Sequence, residues 1–158
     1  MDDNQFEMLL PFKGPFKGKG RNRRAVRQLE SQMIEIRNAM EHVVDQYNST
    51  FVTRPRPVNL MIHKRGKHMH PMLTWRKSIR GGSFFHLFGN EEGEALLRQL
   101  RPNTVRVMAD FDNKRLILNF KSKVAFSALS AYWLMEEGEQ AQAAWFDGSS
   151  RNPLRRTG

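Results

Sequence analysis

Two groups of residues in this 158-residue chain have types and spacings that could do chemistry at a metal ion. The first is Asp110-Phe-Asp-Asn-Lys114, in which Asp112 and Lys114 stand two positions apart. On a strand that spacing turns a carboxylate and an ammonium to one side, where they can bind a divalent ion and orient a water for phosphodiester cleavage. Such a nuclease site needs a second acidic group placed in the right sequence order, and none is. A surface turn accounts for the same five residues without chemistry. The second group is His63, His68, His70 and His86, since imidazole suits zinc and related ions. No cysteine or carboxylate joins these histidines, and Lys64, Arg65 and Lys67 among them repel a dication. They read better as titratable members of an anion-binding surface. The expectation is therefore a non-enzymatic protein with no catalytic residue, no metal ligands and no cofactor.

Positive charge is the larger signal. Lys and Arg number 26 against 16 Asp and Glu, a formal charge of +10. That balance favours an anionic partner, with nucleic acid the commonest for a basic domain and an acidic protein the alternative. The cations gather in two places. Lys13, Lys17, Lys19, Arg21, Arg23, Arg24 and Arg27 follow one another with no acidic residue among them, through a doubled Pro-Phe-Lys-Gly unit. Gly14, Gly18 and Gly20 keep that backbone open. Exposed amides beside flexible cations suit phosphate oxygens, and Phe12 and Phe16 are available to stack on bases or to pin the arm. A solvated arm that only keeps the chain soluble is the plainer reading. No Gly-Lys-Ser/Thr follows, so this is not a P-loop.

The second gathering lies between Asp45 and Glu91, where no acidic residue occurs and Arg54, Arg56, Lys64, Arg65, Lys67, Arg76, Lys77 and Arg80 supply the charge. Of these, Lys64, Arg65, Lys67, Arg76, Lys77 and Arg80 sit on or beside a predicted ribbon that can track a DNA backbone, single- or double-stranded. Flexible Lys and Arg read backbone better than base edges, so low sequence specificity is expected.

The elements that must carry these groups follow from apolar spacing. Val26, Leu29, Met33, Ile36, Met40, Val43 and Tyr47 step by three and four, predicting a helix from Arg23 to Tyr47. Residues Val58–His63 and Met72–Lys77 read as the two strands of a hairpin with a cationic, glycine-bearing tip. Trp75 is either core or a stacking platform flanked by Arg76 and Lys77, and core is the more frequent fate of a strand Trp. Asn90 caps a short helix with Glu91 and Glu92 in its first turn and Leu96, Leu97 and Leu100 inside. Pro102-Asn-Thr opens the next element.

The longest apolar stretch runs from Lys114 to Met135. Leu116, Ile117, Phe120, Val124, Ala128, Ala131, Leu134 and Met135 share one broad helical face, predicted to be core, with Lys121, Ser122 and Lys123 on a wetter side. Leu118, Ala125, Leu129 and Trp133 make the opposite face apolar too, so burial on more than one side is expected. A rival reading pairs Val105–Phe111 with Lys114–Phe120 as strands about an Asp112-Asn113 turn, and starts the helix near Ser122. Both readings fit 105–121.

The expected fold class is α+β: a long N-terminal helix packed with a long C-terminal helix, and a basic β-hairpin or small antiparallel sheet between them. Residues 1–22 form an N-terminal segment and basic arm, 23–146 a single domain and 147–158 a flexible tail. Hydrophobic content of 39%, with 11 Phe and 3 Trp, is enough for a core. The absence of cysteine fits a reducing interior. The acidic start, Met1 to Phe12, lacks the basic flank of a secretory signal, and no stretch reaches the roughly 18 apolar residues of a membrane span. A cytoplasmic protein with no membrane partner is expected.

Three short pieces carry a resemblance: Pro15-Phe-Lys-Gly-Lys-Gly before a long helix, Leu73-Thr-Trp-Arg in the middle, and Arg115-Leu-Ile-Leu-Asn-Phe at the last helix. Together they resemble an uncharacterised family encoded on bacterial integrating conjugative elements, some members of which are labelled integrase regulators. The resemblance covers roughly Pro15 to Trp145. It implies a cytoplasmic accessory or regulatory protein of mobile-element DNA processing, with a recombinase or DNA-transfer protein as a further partner, and a helical last element. The chain departs from the family in doubling the Pro-Phe-Lys-Gly unit and in placing Asp112-Asn113 where the family continues a helix. The family assigns no catalytic residues, so none carry over.

Overall fold

The computed structural model describes residues 19–51, 58–63, 70–77 and 84–149, with side chains from Arg23 to Phe146 apart from Phe85. In chain order the elements are α1 (Lys19–Thr50), β1 (Asn59–His63), β2 (Met72–Arg76), β3 (Phe84–Phe85), α2 (Glu91–Leu97) and α3 (Pro102–Ser149). The class is α+β, as the spacing predicts. The chain divides into two compact units, Ser31–Phe126 and Met1–Glu30 with Ser127–Gly158.

The core lies in the unit Ser31–Phe126. Met40, Val43 and Tyr47 of α1 pack with Leu60, Leu73 and Trp75 of the sheet and Met108 and Phe111 of α3. Strand order is β1-β2-β3, antiparallel throughout, with Leu60 opposite Trp75 and Ile62 opposite Leu73. Alternation then puts Leu60, Leu73 and Trp75 on the buried face, as a two-residue period requires. Tyr47 ties the layers together. Its hydroxyl donates to the Val58 carbonyl at 2.6 Å, and its ring meets Trp75 and Phe111 edge-on at 5.4 and 5.3 Å. Such edge-to-face pairs add to what burial alone contributes.

Local signals end the helices as predicted. Asn90, with extended backbone, accepts a hydrogen bond from the Glu92 amide at 2.8 Å and so satisfies one of the free N–H groups at the start of α2. Gly93 is required by a close approach: a Cβ there would overlap the backbone carbonyls of His86 and Leu87. Pro102 occupies the first turn of α3, where its missing N–H costs nothing, and the Val105 amide closes that turn on the Arg101 carbonyl at 3.1 Å.

Two sequence expectations are corrected. Helix α3 runs unbroken through Asp112-Asn113, so the hairpin over 105–121 does not form. The reason is tertiary: Met108, Phe111 and Asp112, at helical spacing, are all buried against the sheet unit. The second correction concerns the core face of the same helix. Leu116, Ile117 and Phe120 are 52%, 55% and 70% exposed, and Val124, Leu134 and Met135 are exposed as well. The opposite side faces inward. There Ala125 is buried, Leu118 packs partly buried against the core, and Ser122, predicted to be wet, is fully buried.

The inward face of α3 reads the backbone of the sheet. Asn119 Oδ1 accepts from the Leu73 amide at 2.7 Å while its Nδ2 donates to the Leu73 carbonyl at 2.8 Å, as a neighbouring strand would. β3 pairs only with Trp75 and Arg76, so it ends short of Leu73 and leaves those two polar groups without a strand partner. Ser122 Oγ donates to the Pro71 carbonyl at 2.9 Å, one helical turn further on. Asn119→Ala is expected to lower unfolding free energy by about 1–3 kcal/mol, because Leu73 is buried and its backbone groups lose their partners. Urea denaturation measures it; an unchanged midpoint would rule out the strand-mimic role.

Candidate nucleic-acid interface

Charge placement is the starting point for a site. Lys13, Lys17, Lys64, Arg65, Lys67, His68 and Arg80 lie outside the described residues. Lys19 and Arg21 belong to α1, but their side chains are outside the described set. Arg23, Arg24 and Arg27 are exposed on the first turns of α1. At ~100° per residue they share roughly one third of the helix circumference. The first turn of α1 holds no acidic residue. Among the described residues none of the three arginines forms an ion pair.

Arg23 and Arg27 line a groove of about 440 Å³ with Val26, Glu30, Tyr132, Glu136 and Glu139. Three carboxylates against two guanidiniums make this groove unlike a pure phosphate cradle. Arg24 is not part of its lining, and points its charge to solvent. Burial raises the Tyr132 phenol above its ordinary pKa, so it stays neutral in the groove at physiological pH.

The ribbon cations are spent differently from the expectation. Arg76 Nη2 lies 3.1 Å from His63 Nδ1, and its guanidinium stacks over Phe84 at 4.6 Å. The His63 ring also meets Phe84 edge-on at 4.4 Å. These three side chains form one cluster on the outer face of the sheet, with Arg76 half-buried rather than reaching out. Lys77 pairs with Glu92 at the start of α2. Trp75, core or platform by sequence, is 1% exposed and is core. No base can stack on it.

The chemistry candidates resolve into structural roles. Asp112 is buried on α3, where its Oδ1 accepts from Trp75 Nε1 at 2.6 Å and from Arg115 Nε at 2.7 Å. Lys114 Nζ donates to Gln46 Oε1 at 3.2 Å. The strand geometry that a nuclease Asp-x-Lys pair requires is not there. His86 is exposed, and among the described residues no group of three or more His, Cys, Asp or Glu could hold a metal.

His70 sits 5.7 Å from the Phe126 ring, and burial first, then the Lys123 charge, lower its pKa below the ordinary histidine value. A depressed histidine binds its proton more readily in the unfolded chain. Its contribution to stability is therefore complete above pH ~6.5 and is lost as pH falls from there toward the folded pKa. In an NMR titration the His70 midpoint is expected below ~6.5, shifting upward in Lys123→Gln while burial still holds it low. A midpoint unmoved by that substitution would contradict the assigned cause.

The buried hydrogen-bonding roles of Asp112, Arg115, Asn119 and Ser122 are what sequence reasoning missed. Their spacing of three, four and three is a polar helical stripe inside an apolar segment, a legible sign of buried hydrogen-bond partners. Fold and site together define a basic α+β protein whose long third helix grips a small antiparallel sheet. Set against protein-family models, curated proteins and solved structures, the chain matches none. No helix among the described residues is long and apolar enough to cross a membrane.

Proposed function

We propose that this is a cytoplasmic, non-enzymatic accessory protein that binds nucleic acid through its backbone, in the DNA processing of a mobile element. The observation that carries the reading is the exposed triad Arg23, Arg24 and Arg27, without an ion pair among the described residues, at the positive end of the α1 dipole and continuous in sequence with Lys13, Lys17, Lys19 and Arg21. Cations there oppose the helix dipole, so helix stability does not account for them. Phosphates do. Arg76 and Lys77 belong to the fold, while Lys64, Arg65, Lys67 and Arg80, outside the described residues, are included as further phosphate contacts on their charge alone. The resemblance to proteins of integrating conjugative elements supports the setting, and a recombinase or transfer protein would be the natural companion.

The test is a DNA-shift assay over a salt series with the variant Lys17→Glu/Lys19→Glu/Arg23→Glu/Arg24→Glu. Every cation–phosphate pair that the variant abolishes should flatten the slope of log affinity on log salt by about 0.9 on duplex DNA. The thermal midpoint should hold, since Arg23 and Arg24 are exposed. Wild-type affinity in the variant would defeat the arm's role. Absence of DNA binding by the wild type, with retained capture of an acidic protein, would transfer the basic surface to a protein partner.

A further inference from the structure

The exposed stripe of α3, with aliphatic Leu116, Ile117 and Val124 around Phe120, is a continuous apolar face that phosphate-backbone binding does not use. It lies within the unit Ser31–Phe126 and has the layout of one half of a coiled coil. Ile117 and Val124 take the a positions of a heptad, Asn113 and Phe120 the d positions. Phe120 is 70% exposed and Ile117 55%, on a helix whose other side is committed to the sheet. The charges beside the seam are all of one sign. Lys114 and Lys121 fall at e, Lys123 at g, all three exposed. On this helix no acidic residue lies between Asp112, which is held by Trp75 and Arg115, and Glu136. The Lys114 ammonium meets the neutral Gln46 amide and the Phe111 ring, so its charge is positioned but not cancelled.

We infer that Asn113–Val124 of α3 is a docking seam for an amphipathic helix of a partner protein with apolar a and d positions and Asp or Glu at e and g. Charges at e and g decide partner choice in helix pairing. A second copy of this chain would bring its own lysines against these. An acidic helix would meet them with opposite sign while covering Ile117, Phe120 and Val124. The seam belongs to a different unit from the α1 arginines, and the inference does not depend on their binding DNA.

The test uses the full chain and two fluorescein-labelled three-heptad peptides, leucine at a and d in both, one with glutamate at e and g and the other with lysine. Fluorescence anisotropy should show the glutamate peptide binding and the lysine peptide at least about tenfold weaker. Phe120→Gln should weaken the glutamate peptide about tenfold or more with an unchanged thermal midpoint, because the ring is exposed. Lys121→Glu/Lys123→Glu should reverse the preference between peptides. Glutamate-peptide binding that survives Phe120→Gln would be ionic capture by another basic region and would overturn the assignment, as would no binding at all. An unfolded Phe120→Gln would put Phe120 in a core and overturn it too, with the lysine reversal still scoring the charge pattern. Sedimentation showing a dimer that Phe120→Gln dissolves would give the seam to a second copy. Phosphatidylserine vesicles released by Phe120→Gln would give it to a lipid surface.

Discussion

Trp75→Ala is expected to lower the unfolding free energy by about 3–5 kcal/mol, the cost of a cavity where a large aromatic was fully buried. The ring is 1% exposed, packs edge-on against Tyr47 and stands opposite Leu60 across the sheet. Its loss also leaves Asp112 with one donor instead of two. Trp75→Phe separates the contributions: most of the packing stays and the Nε1 hydrogen bond goes, so a smaller loss of about 1–3 kcal/mol is expected. Urea denaturation of both variants reads the difference. Near-native stability of Trp75→Ala, combined with weakened binding to single-stranded DNA, would mean that Trp75 is a stacking surface after all. Binding by the folded fraction of Trp75→Ala should otherwise match wild type, since the α1 arginines lie in the other unit.

The second large effect falls on Asp112. Asp112→Ala strands the Arg115 guanidinium, 13% exposed in its side chain, without its counter-charge, and leaves the Trp75 N–H without an acceptor. Removing one partner of such a buried pair costs about 3–5 kcal/mol. Asp112→Asn should cost less, because the amide oxygen still accepts from Trp75. Replacing both partners, as Asp112→Leu/Arg115→Met, should recover much of the loss, since two matched apolar side chains leave no orphaned charge. If Asp112→Ala proved as stable as wild type, the buried pair would have no structural weight. The consequence for function is practical. A loss of any activity in Asp112→Ala counts as catalytic only when the variant is shown to be folded.

Much of the fold was legible in the chain because its signals are local. The 3–4 spacing from Val26 to Tyr47 places α1, and the run from Val58 to Lys77 places β1 and β2 within a residue or so of each end. Asn90 and Pro102 mark helix starts because their side chains act on the nearest backbone groups. The basic character of the first turns of α1 is likewise a matter of composition, and the structure leaves Arg23, Arg24 and Arg27 exposed.

What only the tertiary structure decided is which face of α3 points inward and which cations remain available. Periodicity identifies a helix with an apolar stripe, but this helix has an apolar group on two sides, and hydrophobicity alone favours the richer one. The sheet chose the other. The short β3 leaves Leu73 with two backbone groups to satisfy, and the side of α3 that carries Asp112, Asn119 and Ser122 can satisfy such groups, while Leu116, Ile117 and Phe120 cannot. An unpaired buried amide is costly to fold, whereas exposed leucine or phenylalanine only forgoes a gain. Arg76 and Lys77 follow the same logic. Nothing in their sequence neighbourhood shows that Phe84, His63 and Glu92 come within reach, because those interactions exist only once the strands have paired and α2 has docked.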